Sequence, residues 1–189
     1  MLEGLQTFPT PRNLKITTIV FFVAFLVLTF VMKPYTDATA AAGVPGVVDL
    51  ELAFTGARAR EIVNLWGFTG LKEGQFDLNL IDFAYMPAYA FFIGGTVLLT
   101  TRPLPSGRQK QFGFSAALMP FGAWLSDAIE NFNINDMLTT EPVRNITDTM
   151  ALSASIAATI KFTLLAIAIV VFAANCIRLL VIKRRTGNA

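Results

Sequence analysis

Residues 152–182 read LSASIAATIKFTLLAIAIVVFAANCIRLLVI, an apolar run with one lysine, Lys161, well inside it. About 20 mostly apolar residues are enough to cross the hydrocarbon core of a bilayer as a helix. Three further apolar runs lie at about 16–32, 78–100 and 112–132. The sequence therefore predicts an all-α protein, a four-helix transmembrane bundle that forms one integral membrane domain over residues 1–189.

The overall composition is that of a membrane protein. Of the 189 residues, 54% are hydrophobic and 15% are charged, whereas about 25% of the residues in soluble domains are charged. The formal net charge is only +2, and the basic residues flank the apolar runs, so we expect the lipid bilayer and not nucleic acid as a partner. Protein partners and a homo-oligomer are both compatible with this composition.

Two residue types limit the chemistry of the chain, which has no histidine and a single cysteine, Cys176. The absence of histidine excludes His-ligated haem, His-based metal sites and the usual general base near neutral pH. One cysteine excludes an intramolecular disulfide and a CxxC redox pair, and we interpret Cys176 as a small buried hydrophobe. The sequence identifies no metal site, no catalytic residue and no cofactor, and we predict no enzymatic activity.

Basic residues cluster at one end of every predicted span. They are Arg12 and Lys15 before the first span, Arg102, Arg108 and Lys110 between the second and third, and Arg178, Lys183, Arg184 and Arg185 at the end of the fourth. Because positive residues favour the cytoplasmic side, we predict a multi-pass protein with both termini in the cytoplasm. The alternative for the first run is a cleaved signal peptide, with Ala-Thr-Ala at 38–40 as the small-residue cleavage site.

The predicted outer loop covers residues 33–77 and begins with an extended segment. Pro34, Pro45 and three consecutive alanines indicate an extended path after the first span. Residues 47–54 alternate between apolar and acidic or other polar side chains, which is typical of a short strand or extended segment.

The second half of this loop predicts a small extracytoplasmic cap helix over residues 56–66. Thr55 is suited to cap its N-terminus, and Gly67 is suited to end it. Its apolar face is formed by Ala59, Ile62, Val63 and Trp66. We expect this helix to pack on the bundle or lie at the lipid interface, and the alternative is a lid or a surface for partner docking.

Several ionisable residues lie inside the predicted spans, where a charged residue costs roughly 2.5–3.5 kcal/mol at the helix centre. Asp82, Tyr85 and Tyr89 lie on one helical stripe because they are separated by three and four residues. The predicted topology places this stripe beside those of the third and fourth spans in the outer half of the bundle. The predicted polar cluster consists of Asp82, Tyr85, Tyr89, Asp127, Glu130, Asn131 and Lys161.

Three sequence runs, LIDFAY at 80–85, DAIEN at 127–131 and ATIKF at 158–162, contain most of this cluster. The chain from about Val47 onward resembles a family of small uncharacterised four-span bacterial membrane proteins. They similarly carry an aspartate and tyrosine in the second span, Asp-x-x-Glu-Asn in the third and a lysine in the fourth. The resemblance implies four spans and polar residues that belong together, and it implies no substrate.

The polar cluster supports several hypotheses. A buried ion pair that only fixes the helix register is the purely structural one. The leading functional hypothesis is a membrane module that binds a small ligand, a lipid or a partner protein, including an accessory subunit of a larger membrane complex. The alternative is a small transporter or a proton/cation pathway through the carboxylates and Lys161. Few polar residues, among them Asn175, occupy the predicted cytoplasmic half, so transport ranks second.

Overall fold

The computed structural model describes residues 2–187, which contain helices and no strand. Six α-helices make up most of the chain, and a 3-10 turn stands before α1 and another before α6. The elements are a 3-10 turn at Leu2–Gln6, α1 at Pro11–Ala42, α2 at Val47–Glu51, α3 at Gly56–Thr69, α4 at Lys72–Thr101, α5 at Arg108–Thr139, a 3-10 turn at Val143–Asn145 and α6 at Asp148–Gly187. The predicted all-α class is confirmed.

Three of the described helices are long and apolar enough to cross a membrane. They are α1, α4 and the Asp148–Arg185 part of α6. The fourth long helix, α5, is not among them. Side chains on α1 and α6 remain largely exposed, with Phe30 71% and Val170 66% accessible, as expected for helices that face lipid.

The long helices pack in a fixed order and bury three groups of apolar side chains. Helix α4 packs against α1 and α5, and α6 packs against both α5 and α4. The first apolar group joins α2 and α3 to the adjoining ends of α5 and α6 and contains Trp66 and Met137. The second, around Met86, lies midway along α4. The third joins α1, α4, α5 and α6 at the other end.

Two consecutive glycines allow α4 to approach both of its neighbours closely. A Cβ on Gly94 would lie 2.8 Å from the backbone oxygen of Ala117 on α5. A Cβ on Gly95 would overlap the hydroxyl of Thr18 on α1. Both positions therefore exclude a side chain, in agreement with the small-residue packing that is common between membrane helices.

The helices extend beyond the predicted spans at both ends, and the prediction of an extended path after the first span is wrong. Helix α1 continues through Pro34 to Ala42 and ends at Gly43, whose φ of 65° lies in the left-handed region. A proline inside a helix removes one hydrogen bond, but the following alanines are the strongest helix formers. The helix therefore continues for two further turns.

The prediction of a strand at residues 47–54 is also wrong, because this segment forms the one-turn helix α2, Val47–Glu51, and then a bend. Here the Asp49 carboxylate accepts from the Gly46 N–H at 2.7 Å and stabilises the first turn. A helix, α3, is present where the cap helix is predicted, and the Thr55 side chain accepts from Arg58 N at its start. It ends three residues later than predicted, because Gly70 and not Gly67 adopts the left-handed conformation.

Candidate functional site

Lys161 lies at the centre of a buried ionic cluster between α2, α5 and α6. Its Nζ donates to Glu130 Oε1 at 2.8 Å, to Asp127 Oδ1 at 3.0 Å and to Glu51 Oε2 at 3.3 Å. All four side chains are at least nine-tenths buried. An ammonium group has three donors, so the three carboxylates use the full hydrogen-bonding capacity of Lys161.

Glu51 belongs to this cluster although the sequence did not predict it. Helix α2 brings it inward, and the segment after α2 is fixed to α6 because Phe54 N donates to Ser155 Oγ at 2.9 Å. The Trp66 indole of α3 donates to Pro45 O at 2.7 Å and fixes the segment before α2. In a strand, Glu51 would lie on the same polar face as Asp49. The alternating pattern therefore did not indicate that Glu51 is buried.

Two of the predicted residues of α4, Tyr89 and Asp82, are hydrogen-bonded to side chains of α5. Tyr89 donates through its hydroxyl to Asp127 Oδ2 at 2.8 Å. Asn131 donates through Nδ2 to Asp82 Oδ2 at 2.7 Å. The backbone oxygen of Asn131 in turn accepts from Asn79 Nδ2 at 3.0 Å. Asp82 therefore bonds to α5 through Asn131, lines the same cavity as Lys161, and forms no ion pair with another described residue.

A cavity of about 280 Å³ adjoins the cluster. Its polar wall is formed by Glu51, Asp82, Tyr85, Tyr89, Asp127 and Lys161. Its apolar wall is formed by Phe25, Val48, Ile93, Phe162 and Leu165. Tyr85 does not contact Lys161 and instead stacks on Phe25 of α1 with ring centroids 5.1 Å apart. Acidic and phenolic side chains therefore line the cavity together with aromatic and aliphatic ones.

The charges of the cluster do not balance. Three carboxylates, those of Glu51, Asp127 and Glu130, pair with the single ammonium of Lys161, and a fourth, that of Asp82, lines the same cavity. Glu130 is completely buried, and its Oε2 has no hydrogen-bond partner among the described residues. Uncompensated charge in a low-dielectric site is very costly, so this arrangement requires protons or a bound cation for neutralisation.

A second buried polar group lies near the opposite ends of the same helices. Asn175 of α6 donates through Nδ2 to Thr101 Oγ1 at 3.0 Å, and Gln109 Nε2 donates to Asn175 Oδ1 at 3.3 Å. Thr101 donates its own hydroxyl hydrogen to Val97 O at 2.7 Å. This group is neutral, and each of its buried side-chain atoms has a partner. The buried residues of α6 between the two groups, Ala168 and Val171, are apolar.

Comparison with family models, with curated protein sequences and with solved structures finds no match to this chain. Only the geometry of its own residues therefore bears on its function.

Proposed function

We propose that this protein is a membrane module that binds a small ligand in the cavity beside the Lys161 cluster. The observation that carries the proposal is a cavity lined by Lys161, which is paired with three carboxylates, and by a fourth carboxylate, Asp82, which is not paired with it. A purely structural ion pair has no need of three further acidic groups, since each adds a desolvation cost of several kcal/mol. We assign no catalytic role to the cluster.

The proposed topology has four spans, with α5 crossing the bilayer between α4 and α6 and both termini in the cytoplasm. Support comes from the contacts of α5, which packs along both of these helices. Further support comes from the basic end of the molecule, where Arg102 Nε donates to Leu5 O at 2.9 Å and brings two predicted cytoplasmic segments together. Helices α2 and α3 then form an extracytoplasmic cap, and the cavity lies in the outer half.

The exposed apolar surfaces of α1 and α6 are also compatible with an accessory subunit that contacts a larger membrane complex. Phe22, Val27 and Phe30 of α1 are all more than one-third exposed. Lipid or a partner protein could cover them equally well. An accessory role is therefore one form of the same proposal, in which the ligand and the partner are bound by different surfaces.

A proton or cation pathway is the second candidate, and the excess of carboxylates favours it. A pathway must reach both sides of the membrane, but Lys161 and Asn175 are separated by roughly 21 Å at 1.5 Å per residue. Leu164 and Leu165 are the next residues of α6 after the cluster that pack against their neighbours, and they are apolar. This apolar interval is why ligand binding ranks above transport.

Native mass spectrometry of the protein in discs of its own membrane tests the proposal. We expect wild type to retain a small-molecule or lipid adduct that Asp127→Asn loses, because Asp127 contacts both Lys161 and the cavity. Asn175→Leu, far from the cavity, is the matched control and should retain the adduct.

Two results would contradict ligand binding at the cluster. One is an adduct that Asp127→Asn keeps, because the ligand would then lie elsewhere. The other is wild-type protein with no adduct, together with a proton or cation flux in proteoliposomes that Asp127→Asn abolishes. That second result would establish the pathway in place of the binding module.

A further inference from the structure

The residues that line the cavity beside the Lys161 cluster indicate the chemical class of its ligand. This inference rests on the proposed function. Lys161 donates to three carboxylates and has no donor left for Asp82. Asp82 is half-buried, lines the cavity and accepts one hydrogen bond, from the neutral amide of Asn131. Asp82 is therefore the acidic group that lacks a cationic partner within the described residues.

The acidic residues of the lining favour an ammonium group over a metal ion or an anion. Among residues 2–187, no group of three or more His, Cys, Asp or Glu side chains is arranged to hold a metal ion. An anion would meet Asp82, Asp127 and Glu51 at close range and be repelled. An ammonium group needs only one carboxylate and a polar neighbour, and charge-assisted bonds of this kind are about twice as strong as neutral ones.

The apolar part of the lining favours an apolar body attached to that ammonium. Phe25, Ile93 and Leu165 contribute only aromatic or aliphatic surface. Phe25 stacks on the ring of Tyr85, and aromatic faces attract cations and pack well against flat apolar groups. A free volume of about 280 Å³ suits a small molecule with one ring or a short chain.

Helices α1 and α6 both line the cavity, and the described parts of these two helices make little direct contact across the gap between them. Helix α1 packs mainly against α4, and no contact of comparable extent joins α1 to α6. Two lining residues near this gap, Val48 and Phe162, are 50% and 40% exposed. A lipophilic molecule dissolved in the bilayer can therefore reach the cavity sideways between α1 and α6.

We propose that the cavity binds a small lipophilic amine, which enters from the bilayer between α1 and α6 and places its ammonium group against Asp82. The ring or chain of the amine packs against Phe25 and Leu165. The acidic residues bind the cation, and the apolar residues exclude water from the contact between the ammonium group and Asp82.

Equilibrium binding of radiolabelled 2-phenylethylamine tests this inference with the whole protein in lipid discs at pH 7, with empty discs subtracted. The neutral analogue 2-phenylethanol has the same apolar body and lacks the charge. We expect saturable binding of the amine and at least about tenfold weaker binding of the alcohol, as the loss of one charged hydrogen bond implies. Equal binding of the two compounds would overturn the assignment, because the cavity would then be selective for apolar surface alone.

Two substitutions on α4 locate the ammonium. Asp82→Asn keeps the shape of the side chain and the bond from Asn131 and should weaken amine binding at least about tenfold. Asp77→Asn is the matched control, because Asp77 is exposed on the same helix and lies outside this cavity. Amine binding that Asp82→Asn leaves unchanged would overturn the proposed position.

The failure of this inference is distinguishable from the failure of the proposed function. If native mass spectrometry finds an adduct that depends on Asp127 while 2-phenylethylamine does not bind, the ligand site stands and the amine class is wrong. If wild type retains no adduct and binds no amine, both proposals fall.

Discussion

Lys161 and Asn175 lie on the same helix, and each connects α6 to a buried polar group, but the two groups differ in charge and in balance. Around Asn175, amide and hydroxyl donors match their acceptors, and no ionisable side chain takes part. Around Lys161, carboxylates outnumber the ammonium, and Glu130 Oε2 has no partner among the described residues. A cavity adjoins the Lys161 group.

The difference indicates which group is only structural. A neutral network with every partner supplied fixes the contact between helices and has no capacity left for a ligand. A cluster with excess negative charge beside a cavity is incomplete by itself, and its stability depends on what neutralises it. Substitutions that act differently on the two groups therefore test the functional interpretation directly.

The largest expected effect is that of Lys161→Met, which removes the only cation from the charged group. Three buried carboxylates then lose their donor, and breaking a buried ion pair in this way costs about 3–5 kcal/mol. We expect a loss of that size in the free energy of unfolding, measured by steric trapping in lipid discs. Ile169→Met on the same helix is the control, because Ile169 is 53% exposed and should change stability little.

A loss below about 1 kcal/mol for Lys161→Met would contradict this account. It would mean that the acidic residues are already neutral in the wild-type protein and that Lys161 is not their main counter-charge.

Tyr89→Phe should have a smaller effect on the same group, because it removes one donor and no charge. The Tyr89 hydroxyl donates to Asp127 Oδ2 at 2.8 Å, and a hydrogen bond to a charged group contributes about 1.5–3 kcal/mol. We expect a loss in that range in the same unfolding measurement. Tyr35→Phe is the matched control, because the Tyr35 hydroxyl makes no hydrogen bond to another described residue. Equal effects of the two substitutions would show that the bond from Tyr89 adds no stability.

The charged group was largely predictable from sequence, because helical periodicity and the order of the spans placed Asp127, Glu130 and Lys161 together in the outer half of the bundle. Asp127 and Glu130 are three residues apart and therefore share a helix face. Both accept hydrogen bonds from Lys161 Nζ, at 3.0 and 2.8 Å. Long apolar segments form helices in a membrane because this satisfies their backbone hydrogen bonds. The helix face on which each of these residues lies was therefore predictable.

Glu51 could not be predicted by the same means, because it lies on a helix of five residues. One turn is too short to show a helical period, and the local alternation of apolar and polar residues indicated a strand. The conformation of this segment depends on distant contacts, such as the bond from Phe54 N to Ser155 Oγ and the bond from Trp66 to Pro45 O. Such tertiary contacts override local preference and leave no pattern in the sequence.

Asn175→Leu should have the smallest effect and should separate the two groups most clearly. Thr101 keeps its bond to Val97 O, and Gln109 is only half-buried, so its amide can turn toward water. Because leucine has the same branching and the same number of heavy atoms as asparagine, we expect a loss of roughly 0.5–1.5 kcal/mol and no change in the adduct that native mass spectrometry detects. A loss as large as that of Lys161→Met would show that charge balance does not distinguish the groups, and the excess of carboxylates would then no longer indicate a ligand site.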